Sequence, residues 1–152
     1  MTAKLKHGIT KVKDPGSALT HFIAMILAII AAMPLLSKAG HDSGHMHISA
    51  LAVFILSMIG LYAASTIYHT LDISPKINKL LRKIDHMMIF ILIAGTYTPV
   101  CMIVLGDKTG WTMLTLVWGI AIVGILINAL WITCPKWFSS LIYIAMGWVC
   151  IL

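Results

Sequence analysis

The chain contains no glutamate, and its five acidic residues are all aspartate. Only 11% of its 152 residues are charged, against 60% hydrophobic, with a mean hydropathy of +0.97. Soluble domains carry roughly a quarter charged residues, so this shortage excludes the ordinary soluble class and places the chain in the membrane class. Cysteine is scarce and scattered at Cys101, Cys134 and Cys150, with no CxxC pair. A disulfide framework is therefore not supported, and the cysteines read as small apolar residues in helices. Strand-like alternation, low-complexity tracts and clear internal repeats are also missing.

What the chain does have is long apolar runs. Five segments, near 17–37, 48–71, 87–105, 111–133 and 137–152, each approach the ~20 residues that cross a ~30 Å hydrocarbon core. The sequence therefore predicts an all-α polytopic membrane helix bundle, a single transmembrane domain. The first run is too long for a signal-peptide core and reads as a retained span. Pro34, Gly40, Pro75, Gly106, Gly110 and Pro135 fall at or near the breaks. Trp111 and Trp137 stand at segment ends, where indole favours the interface. The fifth segment reaches residue 152 still apolar, with no charged stop. That is the pattern of a piece of a longer protein, the alternative being a short, tilted last helix.

A net charge of +6 would point a soluble protein at nucleic acid. In a membrane protein it points to anionic lipid headgroups instead, so membrane lipids are the expected partners and nucleic acid is not. Lys4, Lys6, Lys11 and Lys13 precede the first span; Lys76, Lys79, Arg82 and Lys83 separate the second and third; Lys136 separates the fourth and fifth. Only Lys38 and Lys108 fall on the other side. The positive-inside rule then predicts a cell-membrane protein with a cytoplasmic N-terminus.

On that topology Thr20 and His21, Ser65 and His69, Asp85 and His86, and Asn128 all come to the inner ends of their spans. Polar groups at such depth face a bundle interior or a water-filled cavity, because lipid cannot satisfy them. Ser65 and His69 are four apart and share a helix face. Sixteen residues separate His69 from Asp85, enough for a turn that sets the two helix ends side by side. An imidazole, a carboxylate and a hydroxyl in one pocket can serve a metal site, with His as ligand and Asp orienting water or a ligand. The plain alternative is structural: His69 hydrogen-bonding a neighbour at headgroup level, and Asp85 capping the start of the third helix. The stretch HDSGHMH, His41 to His47, is read as a solvated external loop, with loose metal chelation as the other reading. Pro99 cannot donate to the Gly95 carbonyl, so a kink is expected there. Neighbouring Thr96 and Thr98 can satisfy freed carbonyls. Gly60, Gly95, Gly119 and Gly124 lie inside spans and allow close helix approach.

The segments DPGSALTHFIA, STIYHTL and IDHMMIFILIAGTYTP, in that order, resemble the hemolysin III proteins of bacteria. Those are relatives of the progestin and adipoQ receptors and, more distantly, of the alkaline ceramidases. The resemblance implies seven membrane helices, of which this chain holds five, and a zinc ion near the inner leaflet. It assigns His69, the His of the SxxxH motif, as a zinc ligand. Asp85 then lies near the zinc-associated water, and Ser65 acts as a supporting or charge-stabilising group. Thr20 and His21 match the first-helix TH motif. The acidic residue often seen shortly before that TH is missing, with Gly16 and Ser17 in its neighbourhood, which weakens a part for the first helix in the chemistry and leaves Thr20 and His21 as supporting residues at most. The two further histidine ligands belong to an HxxxH motif in the seventh helix, and no such motif follows Trp137. Zinc is therefore expected only in the full-length protein. Two functions are implied: a zinc-dependent lipid amide or ester hydrolase with Asp85 and Ser65 catalytic, or a non-enzymatic lytic or membrane-sensing protein with structural zinc.

Overall fold

The computed structural model describes residues 12–42, 44–131 and 136–151. Lys4, Lys6, Lys11, Thr133, Cys134, Pro135 and Leu152 lie outside them. Five helices follow one another: α1 (Pro15–Asp42), α2 (Gly44–Thr70), α3 (Pro75–Pro99), α4 (Lys108–Leu130) and α5 (Lys136–Trp148). Among the described residues there is no strand. The first four helices are long and apolar enough to cross a membrane. The all-α membrane bundle expected from the apolar runs is what the chain forms. The fifth segment makes a 13-residue helix and then a 3₁₀ turn over Val149–Ile151. At 1.5 Å per residue that helix is about 20 Å long, short of a full crossing.

Helix α3 begins at Pro75, well before the apolar run. Ser74 is extended, at φ −159° and ψ 157°, and its hydroxyl accepts from the Ile77 N–H at 3.3 Å. Proline at the first helical position gives up a donor that has no intrahelical partner there anyway. The side-chain oxygen of Asn78 accepts from Ile73 N–H at 3.2 Å, and its amide donates to Asp72 at 2.6 Å. The stretch Lys76 to Lys83, expected as a connecting loop, is therefore a helical extension. Asp85 lies well inside α3 and caps nothing.

The first expected break is also helical. Helix α1 runs through Pro34 to Asp42, and α2 resumes at Gly44, whose φ of 78° suits glycine. His41 sits in the last turn of α1, with His45 and His47 in the first turn of α2, so no long loop joins these helices.

Pro99 ends α3 and a wider, π-type turn follows over Val100–Leu105. Without a Pro99 N–H the regular ladder cannot continue, and the chain adopts the longer register, with Gly106 N–H donating to the Cys101 carbonyl at 3.1 Å. Gly106 closes it at φ 57°. Thr98 and Thr96 donate to the Ala94 and Ile93 carbonyls at 3.0 and 2.6 Å.

Each helix packs along its neighbour in sequence, and α5 lies against both α3 and α4. The core is on the α3, α4 and α5 side: Phe90, Ala94, Val117, Ala121, Met146 and Val149. Two glycines mark close crossings. A Cβ on Gly95 would strike the side chain of Ser57, and one on Gly124 would lie 2.5 Å from the Phe90 ring. Gly119 makes no such approach, since nothing lies within 4 Å of its Cβ position. Tyr97 anchors the end of α5: its hydroxyl is 2.9 Å from the Met146 and Gly147 carbonyls and 3.1 Å from the Cys150 N–H, which donates to it.

Candidate functional site

The up-and-down order brings the start of α1, the end of α2, the first half of α3 and the end of α4 to one end of the bundle. Four residues on, Ser65 and His69 point from the same face of α2 toward α1. The Ser65 hydroxyl, 3% exposed, is 2.9 Å from His21 Nδ1. One turn later His69 Nδ1 is 3.0 Å from Asp14 Oδ2. The two imidazole rings stand 5.6 Å apart between centroids.

The backbone holds this arrangement in register. Asp14 N–H donates to the His69 carbonyl at 2.9 Å, and Lys13 N–H donates to the Thr70 carbonyl at 3.4 Å. Both acceptors belong to the final turn of α2, whose carbonyls have no intrahelical partner. Asp14 precedes Pro15 and accepts the Ala18 N–H on its own carbonyl, the first bond of α1. Its side chain turns to His69.

An ionised carboxylate only accepts hydrogen bonds, so the Asp14 contact puts the proton of a neutral His69 on Nδ1. Nε2 is then left with its lone pair. This carboxylate-backed imidazole is the arrangement that orients histidine ligands in metal sites. In kind, the donor set fits zinc. In number it is short, because no group of three or more His, Cys or Asp side chains is placed to hold a metal among the described residues. The same holds for the histidines between His41 and His47.

The residues singled out in the sequence divide in two. Ser65, His69 and His21 come together. Thr20 does not join them; it is exposed and donates to the Gly16 and Ser17 carbonyls of its own helix at 3.1 Å. Asp85 has its ion-pair contact with the adjacent His86, at 3.7 Å. Among the described residues no hydrogen bond or ion pair joins Asp85 to Ser65 or His69. His86 Nδ1 is buried without a hydrogen-bond partner there, while the His86 carbonyl accepts from the Tyr143 hydroxyl at 2.8 Å. Asn128 is a packing residue: its amide donates to the Gly124 carbonyl and its oxygen accepts from Ser139, both at 3.0 Å. Close by, Lys83 Nζ donates to the Ala129 carbonyl near the end of α4 at 3.2 Å.

Asp14 is the residue that sequence reasoning missed. It was counted only as part of the DPG segment before the first span. His21, expected at the same depth as Ser65 and His69, and the aspartate just ahead of α1 supply half of the cluster. The available signal was position, since Asp14 is the lone acidic residue ahead of the first span.

The family model described as "Haemolysin-III related" matches residues 9–152. Hemolysin-3 of Bacillus cereus is 38% identical over 152 residues, covering 99% of this chain and 69% of that protein. The Hemolysin-3 homolog of Bacillus subtilis (strain 168) is 35% identical over 140 residues, 92% of this chain and 65% of that protein. The chain thus spans about two thirds of the length of these curated relatives. No solved structure matches it.

Proposed function

The chain belongs to the haemolysin III family, and from that premise we propose that the intact protein is a zinc-dependent hydrolase of lipid amides or esters. It is a multi-pass membrane protein, with four helices long and apolar enough to span. The same proposal sets it in the cell membrane with its N-terminus in the cytoplasm, from the distribution of Lys and Arg.

The observation that carries this reading is the Asp14–His69 contact. A carboxylate on Nδ1 fixes the ring and its tautomer and leaves the Nε2 lone pair, which would serve zinc, free. His69 is the ligand offered by this chain, and the remaining ligands fall to the part of the relatives' length that it does not span. Zinc, when bound, supplies Lewis acidity and water of lowered pKa. Asp85 would serve as the proton acceptor in that chemistry, and the Ser65 hydroxyl would donate to charge developing on a substrate carbonyl. His21 holds that hydroxyl in place through its 2.9 Å contact.

The test is zinc per chain by elemental analysis on detergent-purified protein. A chain extended to the length of its relatives is expected to hold one zinc, and His69→Ala in that chain to lose it. An extended chain with no zinc overturns the reading. A second reading rests on the relatives' printed names, which call them hemolysins. In that case the protein acts on membranes without catalysis. Asp85→Asn in the extended chain separates the two: it abolishes hydrolysis in the first and leaves membrane lysis unchanged in the second.

A further inference from the structure

A groove of about 340 Å³ opens beside the same end of the bundle, lined by Lys13, Tyr68, Pro75, Asn78, Lys79 and Arg82. Its long wall is one stripe of α3. Pro75, Asn78, Lys79 and Arg82 follow the i, i+3, i+4, i+7 spacing that keeps residues on a single helix face. Tyr68 of α2 and Lys13, ahead of α1, form the rest. Among the described residues, three cations line this groove and no acid does.

One of these cations, Lys13, is held in place. Lys13 Nζ lies 3.6 Å from the centroid of the Tyr68 ring, a cation–π contact. The Lys13 backbone is fixed by its bond to Thr70 and by the adjacent bond from Asp14 to His69. The nearby acids are engaged elsewhere, Asp14 with His69 and Asp72 with the Asn78 amide. Among the described residues none of Lys13, Lys79 and Arg82 has an ion-pair partner. The groove stands at the ends of apolar helices, the level at which phosphate groups of a bilayer lie.

We propose that this groove is a phosphate-binding site, filled by the phosphate of an anionic phospholipid headgroup or by free phosphate. The Arg82 guanidinium forms a fork matched to phosphate oxygens, and the two ammonium groups complete the charge. The neutral ring of Tyr68 keeps Lys13 aimed into the groove. The groove adjoins the His69 cluster, with the Tyr68 ring 4.8 Å from the His69 ring between centroids, but none of its lining residues is a proposed zinc ligand.

The experiment is native mass spectrometry of the detergent-solubilised chain, titrated with phosphatidylglycerol, with phosphatidylcholine, and with inorganic phosphate as competitor. Lys79→Gln/Arg82→Gln removes two charges from the groove. Lys38→Gln/Lys108→Gln removes the same charge from the opposite end. Lys79 and Arg82 are exposed, so their replacement spares the core; circular dichroism checks that the helices persist, and Lys13→Gln is an independent variant. One phosphatidylglycerol per chain is expected, bound about tenfold more weakly by the groove variant and unchanged in the control. Inorganic phosphate that fails to compete assigns the site to lipid phosphate; full competition, lost in the same variant, assigns it to free phosphate. Equal weakening in both double variants, or phosphatidylcholine bound as tightly as phosphatidylglycerol, overturns the proposal.

Discussion

Asp14 Oδ2 lies 3.0 Å from His69 Nδ1, across 55 positions of sequence. The contact joins the residue that starts α1 to the last turn of α2, and the backbone bond from Asp14 to His69 runs beside it. Two open ends are closed together: orphan carbonyls of α2 gain donors, and the His69 ring gains a fixed tautomer. Chemistry and helix ending depend here on the same short segment.

Asp14→Ala is expected to release the His69 ring with little loss of stability. The carboxylate is 51% exposed, and such surface pairs contribute about 0–1 kcal/mol. Ring ¹⁵N shifts of His69 in the native chain should report a protonated Nδ1. In Asp14→Ala they should move toward a mixture of tautomers. Identical shifts in the two chains would show that Asp14 does not set the tautomer.

Ser65→Ala should be costlier than its size implies. Ser65 is 3% exposed and holds His21 Nδ1 at 2.9 Å, so its loss leaves a half-buried ring nitrogen without its partner. Such a loss costs about 1 kcal/mol. Thr20→Val is the matched comparison. Thr20 is exposed and its hydroxyl serves only its own helix, so its unfolding midpoint in detergent should stay near that of the native chain. Equal midpoints for the two variants would contradict the placement of Ser65.

Much of this could be read in advance, and the omissions have identifiable causes. The apolar runs set the number and order of the helices because burial in lipid depends on composition alone. Helix boundaries depend on caps, and these were underread. The Ser74–Pro75 pair is a sound start signal, and the four basic residues after it belong to the first turns of α3 despite their loop-like polarity. His41 to His47 is polar, as a loop would be, but its described residues are helical, with Gly44 at a left-handed φ of 78°. The Ser65 and His69 spacing correctly placed both on one face. Which partner met that face was not legible, because an α1–α2 pairing depends on tertiary register. Hence the depth of His21 could be read in the sequence, but not its contact with Ser65, nor that of Asp14 with His69. Asp85 was legible as an intramembrane carboxylate, yet its contact is with its own neighbour His86.

Tyr97→Phe should loosen one end of the molecule selectively. The Tyr97 hydroxyl is shared by the Met146 and Gly147 carbonyls and the Cys150 N–H. These are the contacts by which α3 grips the end of a helix only 13 residues long. Removal of the oxygen is expected to cost about 1–2 kcal/mol. Amide exchange should accelerate at Val149 to Ile151 and stay unchanged in α2. Uniform acceleration across all helices would mean that the hydroxyl supports the whole bundle rather than this end.

Gly124→Ala and Gly119→Ala make the sharpest pair, since they place the same methyl on the same helix. At Gly124 the new Cβ would lie 2.5, 2.7 and 2.9 Å from three atoms of the Phe90 ring. The ring cannot easily yield: Phe90 is fully buried and packs against Tyr143 with centroids 4.5 Å apart. Tyr143 is itself held by its bond to the His86 carbonyl. Overpacking of this kind costs about 1–3 kcal/mol. At Gly119 the methyl enters open space, and the helix gains up to about 1 kcal/mol from replacing glycine. Opposite signs are therefore expected for the two unfolding midpoints. Phe90→Leu combined with Gly124→Ala identifies the cause. If the ring is what the methyl strikes, the double variant is less destabilised than the two single losses added together. Simple additivity would locate the strain elsewhere, in the approach of the α3 and α4 backbones themselves.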